Sequence, residues 1–293
     1  MGTGKEQAEL WGPGARDWSD YNEPMCTPFY EAVLAATGVG AGTALVDVGC
    51  GGGFALLLAA RRGAEVSGLD ATPALLDIAR ERVPAASLAV GDLEDPLPFE
   101  PGAFDMVTAF NSVQYAADPV AAVKNMSELV RPGGLVSLLV WGPPEQCESG
   151  VMFTELGPLL PPRPAEAPGA IAWSEDGQLE HLAALAGLTP VTVQDVPNPL
   201  IYPDLATAVR TQLSSGPARA AIQHSGLAAV RGALTRAFAG SRKPDGTYRH
   251  ENVFRYLVAR TLQVTADRPA PHRLLKMANS TRSTRMLATR SRL

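Results

Sequence analysis

Cysteine is scarce in this chain of 293 residues, with only Cys26, Cys50 and Cys147 present. An odd number of cysteines, at spacings that match no metal motif, excludes a disulfide framework and a zinc site and leaves free thiols. Long apolar runs are missing too, and none approaches the roughly 20 residues needed to span a bilayer. The opening MGTGKEQAEL lacks the apolar core of a secretory signal, and Glu6 stands where a myristoylation signal requires Ser or Thr. There is no basic excess: 25 Lys and Arg face 30 Asp and Glu, giving a net charge of -5. A protein whose main partner is a phosphate backbone usually carries the opposite balance. These absences point to a soluble, cytoplasmic protein, expected as a monomer or homodimer, for which nucleic acid and membranes are poor candidates as partners.

Apolar residues make up 46% of the chain, alongside 28 Gly and 25 Pro, a composition that buries a core and turns often. From residue 44 onward, apolar runs of strand length alternate with helical patterns. Strands are expected at 44–48, 65–69, 87–90, 104–110 and 135–141, and helices at 54–62, 73–83 and 119–130. Such alternation implies a parallel sheet with crossover helices. Thr72 and Asp118 are expected helix N-caps because each precedes a proline at the first helical position, and Ser174 is expected to cap a helix that Gly187 ends. "TPVTVQDV" and "ENVFRYLVARTL" read as two further strands.

The first strand runs into "VDVGCGGGF", residues 46–54. A nucleoside triphosphate loop needs Lys followed by Ser or Thr after the glycines, but Phe54, Ala55 and Leu56 stand there. The dinucleotide fingerprint G-x-G-x-x-G fails in both registers, at Phe54 and at Leu56. What remains is an acid, Asp47, within the strand end and glycines at 49, 51 and 53. That spacing suits a ligand met by close backbone approach rather than through phosphates. Asp47 is expected to organise the turn by bonding backbone amides. Asp70 ends the second strand, placed to accept hydrogen bonds from two ribose hydroxyls. Asp92 ends the third, placed for an adenine amino group.

The ordered set "VDVGCGGG", "GLDAT", "GDLEDPLPFEPGAFD" and "LVRPGGLV" resembles a class I S-adenosylmethionine-dependent methyltransferase of the small-molecule, ubiquinone-biosynthesis-type branch. The resemblance covers about residues 44–142. It implies an α/β fold: a Rossmann-like, seven-stranded, mostly parallel sheet with an antiparallel last strand. It also implies S-adenosylmethionine as cofactor. Carried onto this chain, Gly49, Gly51 and Gly53 approach the methionine part, Asp70 holds the ribose and Asp92 faces the adenine. Asn111 lies near the transferable methyl, and Cys50, Ala71, Leu93 and the arm's Trp18 complete the expected cofactor contacts. The domain expectation is an N-terminal helical arm at 1–38, a core at 39–196 and 251–262, a helical lid at 197–250, and a basic, disordered tail at 263–293. The lid is expected to hold two or three short helices.

No metal is expected. His224 and His250 are the candidate general bases, while Glu23, Tyr115, Trp141 and Tyr202 are candidates for lining the acceptor pocket. The fourth strand exits as "FNSVQY", not as the Asn/Asp-Pro-Pro-aromatic signature of base or glutamine methylation. The expectation is therefore O- or C-methylation of a small, mostly apolar metabolite in a biosynthetic pathway. Two alternatives stand beside it. One is an RNA methyltransferase that uses the basic tail, and the other is a cofactor-binding protein of the same fold with a non-methylating role.

Overall fold

The computed structural model describes residues 2–162 and 172–262. The basic tail, and part of the Pro-rich segment after the fifth strand, lie outside the described residues. Seven strands form the main sheet: β1 Ala44–Val48, β2 Glu65–Asp70, β3 Ser87–Val90, β4 Phe104–Phe110, β5 Val130–Trp141, β6 Thr189–Pro197 and, after a two-stranded ribbon, β9 Val253–Arg260. Their order is β3-β2-β1-β4-β5-β9-β6. The first five are parallel, and β9 runs antiparallel to both β5 and β6. This is the mixed α/β sheet that the sequence implied. Strand order reverses between β1 and β4, and open α/β sheets bind their ligands at the carboxyl ends of strands beside such a switch point.

The central strands are buried on both faces, so their side chains sort by the period of two. Leu45, Met106 and Leu139 point to one side. They meet α3 (Thr27–Ala36) and α4 (Phe54–Arg61) through Phe29, Val33, Leu34 and Leu56. Val46, Val48, Val107, Leu138 and Val140 point to the other side. They meet α6 (Pro119–Leu129) and α8 (Gln178–Leu185) through Val123, Met126, Leu179 and Leu182. Each fully buried aliphatic side chain contributes on the order of 1.5–3 kcal/mol of transfer free energy, which fixes both helical layers on the sheet.

Local signals hold with some corrections. Asp118 caps α6, accepting from Ala121 N–H at 3.0 Å. Thr72 stands at the N-cap of α5 (Pro73–Arg82), but its hydroxyl makes no cap bond; its N–H instead donates to Asp70. Helix α8 starts after Gly177, at φ 81, not after Ser174, because Arg255 draws Ser174 O and Asp176 into a turn ahead of the helix. Strand β5 begins at Val130, five residues before the expected start at 135, since Arg131–Gly134 continue alongside the bulged start of β4.

The remaining elements cover the carboxyl end of the sheet. The arm contains α1 (Gly4–Trp11), the short α2 (Ala15–Asp17) and tight turns running on to Cys26. Helix α7 (Gly150–Leu156) follows β5. Between β6 and β9 lie α9 (Leu205–Leu213), α10 (Gly216–Ser225) and α11 (Leu227–Ala237). A ribbon of β7 (Leu200–Tyr202) paired with β8 (Tyr248–His250), which the sequence reading did not foresee, ties the two ends of this excursion together. These helices and α7 share a core of their own around Met152, Val209, Val230, Leu234 and Phe238. Leu227, at the start of α11, is 49% exposed and stands outside this core. Among the described residues, no helix is long and apolar enough to cross a membrane.

Candidate functional site

Strand β1 ends in a turn organised by its neighbours. Gly49 and Cys50 N–H groups both donate to Leu69 O, at 2.7 and 2.9 Å. Gly49 is left-handed, at φ 82, and a Cβ there would collide with the side chain of Ser112. Both oxygens of Asp70 accept backbone bonds, one from Gly51 N–H at 2.9 Å and the other from Thr72 N–H at 2.8 Å. Asp70 therefore shapes the turn as well as facing the cavity, and burial raises its pKa against the pull of those two amides. Asp47 does not bond backbone amides as expected. It accepts from the Thr108 hydroxyl at 2.7 Å beneath the turn, and burial pushes its pKa to about 7. Gly53 lies against Ala79 of α5, so its missing side chain serves helix packing.

The arm is fastened to the strand ends at this turn and again after β3. Glu23 accepts from Gly52 N–H at 2.7 Å and forms an ion pair with Arg82. The same guanidinium donates to Gly52 O at 2.6 Å and to Ser19 O at 2.9 Å. Burial raises the Glu23 pKa to about 7, with Arg82 opposing the shift. At the other point, the first turn of α1 rests on Asp92, whose carboxylate accepts from Gly4 N–H at 2.6 Å. A carboxylate at a helix N-terminus is favourably placed by the helix dipole. Sequence reasoning missed the Glu23–Arg82 clamp, since its members lie 59 residues apart and no local pattern links them.

A cavity of about 190 Å³ opens between the arm, the turn and the helical cover. Its near half is walled by the ends of β1, β2 and β3: Gly49, Cys50, Gly51, Asp70, Ala71, Asp92 and Leu93, with Trp18 and Glu23 from the arm. Its far half lies beyond β4 and β5 and is walled by Phe29, Phe110, Trp141, Met152, Leu156, Leu200 and Phe254. Asn111 stands between the halves. It is the one described non-glycine residue with positive φ, at 52°, and its buried Oδ1 has no hydrogen-bond partner.

The structure brings together most of the residues singled out in the sequence. Tyr115 and Trp141 line the cavity, whereas Gly53, Tyr202, His224 and His250 are not in its wall. His224 is exposed on α10. His250 is buried, stacked on Phe238 with ring centroids 4.7 Å apart, and its Nδ1 lies 3.3 Å from Ser149 Oγ. Burial lowers its pKa. Tyr202 is buried behind the wall, where its hydroxyl accepts from Gln212 Nε2 at 2.8 Å. Gln212, Asn22 and Tyr30 do line the cavity and had no signal in the sequence, because each lies on a helix or turn that only packing brings to the sheet.

Comparison with known proteins decides what this architecture is. Residues 46–138 match the family described as a methyltransferase domain. Residues 46–138 of this chain are thus similar to a methyltransferase domain. An uncharacterized protein of Mycobacterium tuberculosis is 32% identical over 177 residues, covering 59% of this chain and 63% of the relative. The chain thus spans less than two thirds of the length of that curated relative. A ubiquinone biosynthesis O-methyltransferase of Xanthomonas campestris is 36% identical over 101 residues, 33% of this chain and 42% of the relative. Among solved structures, a chain of the complex between the Haloferax volcanii Trm112 methyltransferase activator and a methyltransferase superposes with a TM-score of 0.56. That likeness, at 21% identity over 88% of this chain and 98% of the other, concerns the fold.

The cofactor of the methyltransferase domain is S-adenosylmethionine, and the near half fits it. Four lining carboxylates, Glu23, Asp47, Asp70 and Asp92, suit a ligand bearing a sulfonium and an ammonium group. A Cβ at Gly51 would come within 2.7 Å of Glu23 Oε1, so the bare glycine lets the arm sit close against the turn.

Proposed function

We propose that the protein transfers the methyl group of S-adenosylmethionine to a small, mostly apolar metabolite, at oxygen or carbon, in a biosynthetic pathway. The observation that carries this reading is the continuity of the cavity, from the carboxylates at the strand ends to a far half walled by aromatic and aliphatic side chains. In this proposal Asp70 holds the ribose and Asp92 faces the adenine. Gly49, Cys50 and Gly51 follow the methionine part, and Trp18, Ala71 and Leu93 pack beside the adenosine. Asn111 stands where the two ligands meet. The residues 197–250 act with the arm as a lid that selects the acceptor.

When bound, the cofactor supplies an activated methyl group on a sulfonium with a neutral leaving group. The protein's part is to align donor and acceptor and to exclude water. Phe110, Trp141 and Phe254, fixed at strand ends, hold the acceptor plane, and the lid helices close over it. Among the described residues, no histidine lines the cavity, so the proposal assigns no histidine base.

Calorimetry with S-adenosylmethionine, its demethylated product, NAD and ATP tests the cofactor half. The first two should bind well and the others weakly, and tighter binding of NAD would end the reading. Product mass tests the reaction, which requires a gain of one methyl group on the acceptor.

A further inference from the structure

The arm is held by three separate parts of the molecule. After β3, the Glu94 carboxylate accepts from Thr3 N–H at 3.0 Å and from the N–H groups of Ala117 and Asp118 at 3.1 and 2.8 Å. The Thr3 hydroxyl donates to Tyr115 O at 2.7 Å. At the glycine turn, Glu23 and Arg82 form the clamp described above. The third partner is the cover between β6 and β9. Gly14 lies against Ser214, and a Cβ there would collide with Ser214 O. Gly14 has a negative φ, -102°, which other residues adopt, so its missing side chain serves close approach rather than backbone shape. Gly216, at the start of α10, lies against Trp11, and a Cβ there would come within 2.6 Å of the indole nitrogen. Beside these contacts Arg210 of α9 donates to both oxygens of Asp17, at 2.9 and 2.7 Å, and its guanidinium lies 4.9 Å from the Tyr21 ring centre. The same arm turns Trp11 and Trp18 to the cavity, while Gln212, Ser215 and Pro217 line it from the corner between α9 and α10.

We infer that the arm transmits cofactor occupancy to the cover: a cofactor in the near half holds the arm seated against Trp11 and Trp18, and the seated arm holds α9 and α10 down over the cavity through Gly14, Gly216 and Asp17. The inference rests on the reading that the near half holds S-adenosylmethionine. A ligand that steadies the arm lowers the cost of ordering whatever packs on the arm, which couples the two halves without any contact between the two ligands. Such coupling is reciprocal, so an acceptor that closes the cover tightens the cofactor by the same factor. The cover is then firmest when the near half is filled, which is when water must be kept from the sulfonium.

Hydrogen exchange on the full chain, with and without saturating demethylated cofactor and with no acceptor present, tests it. In the original chain the product should slow exchange across residues 205–225 by at least about threefold, through reduced local opening. Gly14→Ala places a methyl group against Ser214 O and wedges the arm from the cover without touching the cavity wall. In that variant, with calorimetry confirming that the product saturates it, the slowing across 205–225 should vanish while the slowing at residues 49–53 persists. Arg210→Met removes an exposed ion pair on which the core does not depend, and it should cut the slowing across 205–225 by about half with the fold intact. Absence of slowing in the original chain would overturn the inference. So would full slowing in a folded Gly14→Ala chain, or in Arg210→Met should the first variant not fold, because the product would then reach the cover without the arm. Failure of the product to bind the original chain would instead overturn the functional reading beneath it.

Discussion

At the ends of β1, β2 and β3 the cavity is walled by backbone amides and carboxylates drawn from residues 47–93, whereas beyond β4 it is walled by side chains from α3, α7, β7, α9 and β9. The near half is built by turns that each follow directly on a strand, so its geometry is set by local hydrogen bonds such as Gly51 N–H to Asp70 at 2.9 Å. The far half exists only when separate elements pack. On the proposed function, a scaffold divided in this way can keep its cofactor half while the far wall changes, because the two walls share few residues. The arm belongs to both, since Glu23 grips the turn and Phe29 walls the far half.

The largest effect is expected where the arm joins the turn. The Arg82 and Glu23 side chains are only 15% and 5% exposed, so Arg82→Met leaves a carboxyl buried without its partner. Denaturant unfolding should show a loss of about 3–5 kcal/mol, with much of it recovered in the double variant Arg82→Met, Glu23→Gln. A loss below about 1 kcal/mol would mean that other contacts hold the arm.

Next comes Asp70→Ala, which should weaken cofactor binding by about 2–4 kcal/mol, because hydrogen bonds to a charged group are worth about 1.5–3 kcal/mol each and are not additive. Since Asp70 also holds Gly51 and Thr72, Asp70→Asn should keep more of the turn and lose less. Calorimetry on both variants separates ribose binding from turn shape. Unchanged affinity in Asp70→Ala would contradict its role.

The two halves should also differ in their response to pH. Glu23 and Asp47 both titrate near 7, raised by burial from the ordinary carboxyl range. A raised carboxyl pKa contributes stability that is fully present below its unfolded value and is lost as pH rises through about 7. A cationic cofactor favours the ionised forms instead, so its binding should release protons and weaken several-fold from pH 8 to pH 6. Binding of the apolar acceptor proposed above, against the aromatic and aliphatic wall, should not follow that trend. Calorimetry in buffers of different ionisation enthalpy reads the proton release, and its absence would show that these carboxyls do not sense the cofactor.

The smallest effect on cofactor affinity is expected from exchanging residues 197–250 with the segment of a related enzyme. It should alter which acceptor is methylated while cofactor affinity changes by less than about 1 kcal/mol, as for well-separated sites. Hydrogen exchange gives the companion measurement. Protection across this segment should rise most when cofactor and acceptor are both present, and no change with either would reject the lid.

The alternating apolar runs, the glycine turn and the acids at 70 and 92 made the sheet and the near half readable in advance, because strand period and turn chemistry are local properties. The far wall was read less well. Trp141 and Tyr115 were anticipated and do line the cavity, but His250 and Tyr202 turned inward to Phe238 and Gln212. A side chain on a ribbon or lid helix faces the ligand or the core according to how that element is rotated in packing, and one residue of rotation reverses the outcome.

By itself the sequence determined that a parallel sheet ends in a bare, acid-flanked turn, since glycine spacing and strand ends act within a few residues. Only the tertiary structure decided that Glu23 and Arg82 clamp the arm across that turn, and that aromatic and aliphatic side chains from distant elements wall the far half. Those arrangements depend on which helical faces must be buried together, and that is settled by the packing of the whole chain.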